Sequence, residues 1–230
     1  MIKYLLAFFN LFVLSDYMLY AQTDRWTVKP GENINNVLAP EVKFRYPIFT
    51  AGTVFFRDKT RSNALLDYNL LTTEMQFIAP KGDTLAVANE ATIQYIAIGT
   101  DTFFYDKGFV RLVAGNSTAK LAIKESLAIG DVKKKGAYDQ FSSTSSVTTV
   151  KSVRLQDRVT NLTAQQELTI LKETVYYIGD QYNHFLLANK KNIIKLFGKK
   201  ERALEQYMND NKVSFNKEED LKALMDFLNT

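Results

Sequence analysis

The sequence contains no cysteine, one histidine, one tryptophan and four prolines in 230 residues. The lack of cysteine excludes disulfides, thiolate metal sites, a cysteine nucleophile and a lipid-modified cysteine anchor. A single histidine excludes metal sites built from several imidazoles and leaves only His184 for a serine–histidine–acid arrangement. No Gly-x-Ser-x-Gly elbow, EF-hand loop or aspartate-rich repeat occurs, and none of the ten glycines falls in a Walker or dinucleotide fingerprint. The excess of one charge over the other is small as well. The 29 basic and 25 acidic residues leave a net +4, well short of a nucleic-acid-binding signature.

Against these absences stands a hydrophobic fraction of 46%, enough for a real core, at a length that suits one large or two small domains. The first residues read as an address. Met1-Ile2-Lys3 is followed by an apolar run from Tyr4 to Leu14 broken only by Asn10. A cationic start, a short apolar stretch and a polar exit define a secretory signal peptide over residues 1–21, with cleavage after Ala21 and Gln22 as the first mature residue. Leu19 stands where a small residue is usual. The run falls short of the roughly 20 apolar residues that span a bilayer, and no later segment reaches that length. Removing residues 1–21 deletes Lys3 and Asp16, so the net charge stays at +4. The expectation is an exported chain without a lipid anchor.

Residues 22–40 hold Trp26, Pro30, Gly31 and Pro40 and read as an irregular lead-in. From residue 41 short apolar runs alternate with turns. Strands are expected at Thr53–Arg57, Ala64–Leu71, Glu74–Ile78, Thr84–Ala88, Thr92–Ile98, Thr102–Asp106, Phe109–Val113 and Ala119–Ile129. Turn chemistry separates them at Pro80-Lys81-Gly82-Asp83, Gly99-Thr100-Asp101, Asp106-Lys107-Gly108 and Gly115-Asn116-Ser117. Connections this short join neighbours antiparallel, so Thr92–Val113 reads as a three-strand meander within a sandwich or an open barrel. In Ala119–Ile129 the odd positions Leu121, Ile123, Leu127 and Ile129 are apolar, while Lys120, Lys124 and Ser126 face away. Glu125 interrupts the apolar face, which a bulge or a strand edge explains more simply than a functional carboxylate.

A tract from Ser142 to Thr149 with seven Ser or Thr in eight residues marks 136–151 as a loop or linker. Glu167–Ile178 reads as a long strand returning through a turn at Gly179–Asn183 to His184–Leu187. Three helices close the chain: one capped by Asn189 and stopped by Gly198, one over Lys199–Asn209, and one capped by Asn216 with Glu219 three residues on. The fold class is therefore mainly β with C-terminal helices, an antiparallel β domain at 41–135 and a hairpin-plus-helix segment at 152–230.

Candidate chemistry is thin. His184 sits in the expected hairpin and reads as a structural or surface residue. Asp180 and Asn183 read as turn residues rather than calcium ligands. The acids Asp67, Glu74, Asp83 and Asp106 are the ones to inspect for a catalytic carboxylate pair, since such a pair needs only to meet in space. Phe103-Phe104-Tyr105 places aromatics on both faces of its strand, which means either a two-sided core or an exposed carbohydrate- or protein-binding patch. Residues 184–212 carry seven basic against three acidic side chains, a solvated helix face with a local basic patch. No catalytic, cofactor or metal residue is assigned, and the composition leaves oligomeric state open.

The stretches Tyr68-Asn69-Leu70-Leu71, Glu74-Met75-Gln76-Phe77-Ile78 and Lys81-Gly82-Asp83-Thr84-Leu85-Ala86 resemble those of a group of exported proteins from Bacteroidetes-type bacteria. So do Asp101-Thr102-Phe103-Phe104-Tyr105-Asp106-Lys107-Gly108 and Asn189-Lys190-Lys191-Asn192-Ile193-Ile194-Lys195-Leu196-Phe197. The resemblance covers most of residues 50–228. It implies the periplasm or cell surface of a Gram-negative cell, and it brings no activity and no catalytic residue. The sequence favours a non-enzymatic binding or structural module with a protein or glycan partner. The rival is a carboxylate-based hydrolase of glycans or cell-wall material. A small outer-membrane barrel fits less well, because the chain ends on helices and several strands are shorter than the 9–11 residues such barrels use.

Overall fold

The computed structural model describes residues 25–135, 141–142, 164 and 167–229. Residues 1–21, where a signal peptide is expected, most of the Ser/Thr-rich tract and the stretch Val150–Leu155 lie outside the described residues. Among the described residues twelve strands form one antiparallel sheet: β1 (Arg25–Val28), β2 (Thr50–Phe56), β3 (Arg61–Asn69), β4 (Glu74–Ile78), β5 (Thr84–Ala86), β6 (Ile93–Ile98), β7 (Asp101–Tyr105), β8 (Phe109–Gly115), β9 (Lys120–Lys135), β10 (Phe141–Ser142), β11 (Glu167–Gly179) and β12 (Phe185–Leu187). Their order is β1-β11-β9-β8-β7-β6-β2-β3-β4-β5, with β10 on β9 and β12 on β11. The β6–β7–β8 meander forms where turn chemistry places it. Gly99 (φ 55°) and Gly108 (φ 129°) take the left-handed backbone their turns require.

The sheet is not closed into a barrel, but it is strongly curled. The Leu127 amide donates to the Leu70 carbonyl at 2.8 Å, so β9 meets the end of β3 from five places away in the strand order. Gly52 in β2 serves this curvature. A Cβ there would stand 2.7 Å from the Ala97 carbonyl oxygen and 2.9 Å from Leu66 Cδ1.

The concave face carries two separate cores. The first gathers Val54, Leu66, Tyr68, Met75, Ile96, Phe103, Leu127 and Ile170 and is plugged by residues of the lead-in. There β1 pairs with β11, and α1 (Ile34–Val37) and α2 (Pro40–Lys43) bring in Ile34 and Leu38, each 1% exposed. The second core forms where α3 (Lys190–Phe197), α4 (Glu201–Asp210) and α5 (Glu218–Asn229) pack on the far ends of β8, β9 and β11. It joins Leu121 and Ile178 to Ile193, Leu204, Leu221, Leu224 and Met225. The convex face holds a smaller cluster of Phe104, Val110, Ala122 and Phe185.

Asn189 caps α3 as expected, its side chain accepting from the Asn192 amide. Gly198 ends that helix as expected, with φ −57° and through a 3₁₀ turn that leads into α4. One other helix expectation is corrected. Asn216 does not cap α5, because a turn from Ser214 to Lys217 delays the start to Glu218 and Asp220 reaches back to the Ser214 amide at 2.8 Å.

Replacing Gly52 with alanine forces the new methyl into the Ala97 carbonyl and Leu66. We expect a loss of about 1–3 kcal/mol in urea unfolding, and a change within experimental error would show that the curl does not need the close approach.

Candidate functional site

Along three neighbouring strands the concave face reads apolar, charged, apolar. In β9, Glu125 lies between Leu121 of the helix-covered core and Leu127 of the first core. In β11, Lys172 lies between Tyr176 and Ile170, and in β8, Arg111 follows Phe109. The pairings Thr174↔Glu125, Lys172↔Leu127 and Arg111↔Ile123 put these side chains on one face, because partners across an antiparallel ladder point the same way. Asp101, at the start of β7, and Arg45, in the segment after α2, complete a belt between the cores.

Arg111 bridges Asp101 (3.5 Å) and Glu125 (3.4 Å). Arg45 spans the same two acids at 3.6 and 3.7 Å. Lys172 adds a contact to Glu125 at 3.2 Å, and the Tyr46 hydroxyl donates to Asp101 at 2.8 Å. Each of the four carboxylate oxygens of Asp101 and Glu125 therefore has a partner. The donors are not all used: Arg45 Nε, Arg111 Nε and the Tyr68 hydroxyl are buried without a hydrogen-bond partner. Three cations against two carboxylates leave a positive surplus. Burial, then the hydrogen bond to Asp101, raises the Tyr46 hydroxyl above its ordinary range; burial, then the Glu125 charge, does the same to Tyr68.

Glu125 is thus a member of an ion network, and the bulge explanation is corrected. The β9–β11 register runs unbroken through it, and the irregularities fall at Leu168/Ile170 and Leu112/Ala114. It does lie beyond the last β8 pairing at Arg111↔Ile123. Lys120 faces away from the apolar positions as expected but is only 8% exposed. Its ammonium donates to the Asp180 carbonyl at 3.0 Å and lies 6.0 Å from the Phe104 ring, and burial lowers its pKa.

The acids singled out by sequence do not come together as a catalytic pair. Asp67 is buried on the convex side of β3, where it accepts from the amides of Tyr46 (3.2 Å) and Tyr68 (2.7 Å). Asp106 accepts from the Phe185 amide at 2.7 Å, which pins the β12 end to the β7–β8 turn. Glu74 begins β4 half-buried, and Asp83 is exposed in the β4–β5 turn. Asp180 spends its oxygens on the amides of Tyr182 and His184 and on the imidazole at 3.3 Å, and the His184 side chain is 69% exposed. No group of three or more metal-ligating side chains occurs among the described residues. Phe103 belongs to the first core and Phe104 to the convex cluster, so this strand has two buried faces.

Sequence reasoning passed over Arg45, Asp101, Arg111 and Lys172. A signal existed for two of them: Arg111 and Lys172 each interrupt an apolar alternation, as Glu125 does. No protein-family model matches the chain, and neither a curated protein nor a solved structure does.

Asp67 gives a pH test. Burial outweighs its two amide bonds and pushes its carboxyl up to about 6 from 3.8. The folded chain then holds a proton that the unfolded chain releases, so this group's contribution is full below the unfolded value and is lost as pH rises through about 6. Asp67→Asn keeps the acceptor and removes the charge. Relative to the variant, wild type is expected to lose roughly 2–3 kcal/mol between pH 4 and 7. Parallel stability curves in urea would show that the carboxyl does not titrate in this window.

Proposed function

We propose that this chain is an exported, non-enzymatic binding or structural module of the periplasm or cell surface, presenting its sheet and helices to a protein or glycan partner. The observation that carries the non-enzymatic reading is the occupancy of the belt. A general acid or a nucleophilic carboxylate must face its substrate. In the belt, every oxygen of Asp101 and Glu125 faces a protein cation or hydroxyl.

The export reading rests on the cationic start and apolar run of residues 1–21, together with the resemblance to exported Bacteroidetes-type proteins. No helix among the described residues is long and apolar enough to cross a membrane. Large apolar side chains at the surface, including Ile48 (76% exposed), Leu65 and Leu85, offer contact area to a partner.

Fractionation of a Gram-negative host expressing the full gene tests both halves. The chain is expected in the periplasmic or surface fraction, beginning at Gln22 by N-terminal sequencing, and without hydrolysis in a cell-wall zymogram. An intact Met1 terminus in the cytosol would overturn the export reading. A cleared zymogram band abolished by Glu125→Gln in a folded variant would replace the binding module with a hydrolase.

A further inference from the structure

A recess of about 310 Å³ opens between the β11–β12 turn and the C-terminal helices. Its volume lies at the lower end of small-molecule sites. Leu196, Phe197 and Leu228 supply apolar lining, Tyr182 stands beside it, and Lys199 and Lys200 complete the wall. We propose that this recess binds a small amphiphilic anion, one with an apolar body and a single carboxylate head. The proposal goes beyond the binding-module reading and does not depend on it.

The recess is built from held parts. Asp180 fixes the turn through the Tyr182 amide (2.8 Å) and the His184 amide (2.9 Å), and Lys120 anchors its carbonyl from beneath at 3.0 Å. Tyr182 is thereby presented 68% exposed from a constrained turn, an aromatic surface that loses little freedom on contact. On the opposite side, the Asn229 side chain exchanges two hydrogen bonds with the backbone of Ala119 (3.2 and 3.3 Å), tying the end of α5 to the β8–β9 turn.

The charge chooses the ligand's sign. Lys200 donates one bond to the Leu228 carbonyl at 3.3 Å, which leaves ammonium protons for a head group, and Lys199 is exposed. Asp180 is the sole acid lining the recess among the described residues, and its oxygens are engaged by two amides and the His184 ring. An apolar tail on Leu196 and Phe197 with a carboxylate at the lysines satisfies both kinds of wall. A neutral or cationic amphiphile satisfies only one.

Calorimetric titration of the full chain with decanoate and decyltrimethylammonium below their micellar concentrations, and with decanol below its solubility limit, separates these cases. Decanoate is expected to bind saturably, about tenfold or more tighter than decanol, with the cationic amphiphile weakest. The Lys199→Gln/Lys200→Gln variant should bring decanoate to the level of decanol and leave decanol unchanged. Lys199→Gln alone, at an exposed side chain without a hydrogen bond among the described residues, should give part of that loss. Amide shifts in NMR should centre on Tyr182, Leu196 and Phe197. Equal affinity for the three amphiphiles, decanoate binding insensitive to both lysine variants, shifts centred elsewhere or no saturable binding would each overturn the proposal.

Discussion

Glu125 held among Arg45, Arg111 and Lys172 is the contact on which the rest of the molecule depends. One sheet face has to serve two cores, and the charged belt is where one ends and the other begins. Taking these groups even part-way out of water is costly, and a network this loose, with contacts of 3.4–3.7 Å from the guanidinium groups, recovers only some of that cost. Its consequence is specificity of position. The belt admits one register of β8, β9 and β11, because a slip by one residue would send Glu125 and Lys172 to the other face and leave Arg111 without its acids.

The two cores then follow from what each end of the sheet finds to cover it. On one side the curl brings β3 against β9, and the lead-in supplies Ile34 and Leu38 as a plug. On the other, α3, α4 and α5 cover Leu121 and Ile178. The same arrangement accounts for the chemistry. The best-formed polar cluster among the described residues is turned inward on itself, and the recess beside Tyr182 and Lys199 lies at the far end, where helices and turns meet.

Much of the fold was legible in the chain. Gly and Asp at the turns marked the β6–β7–β8 meander, Glu74–Ile78 formed as read, and Asn189 capped α3. The misreadings have physical causes. Glu125 looked like an irregularity because alternation shows that a charge breaks an apolar face but cannot show which strands bring it partners. Lys120 faces away from the apolar positions as read, but its burial had no sequence signal, because its partner Asp180 lies sixty positions away and supplies a backbone carbonyl. Arg45 gave no periodic signal, since its segment is irregular and is held beside β3 by long-range bonds: the Arg45 amide to the Tyr68 carbonyl, the Leu70 amide to the Lys43 carbonyl and the Tyr46 amide to Asp67.

A double-mutant cycle on Arg111 and Glu125, read by urea unfolding at neutral pH, tests the central claim most directly. Glu125→Gln alone leaves three cations facing one carboxylate and is predicted to cost about 3–5 kcal/mol. Combined with Arg111→Met, the loss should fall short of the sum of the single losses by about 1 kcal/mol or more. Single losses below about 0.5 kcal/mol that simply add would contradict the account.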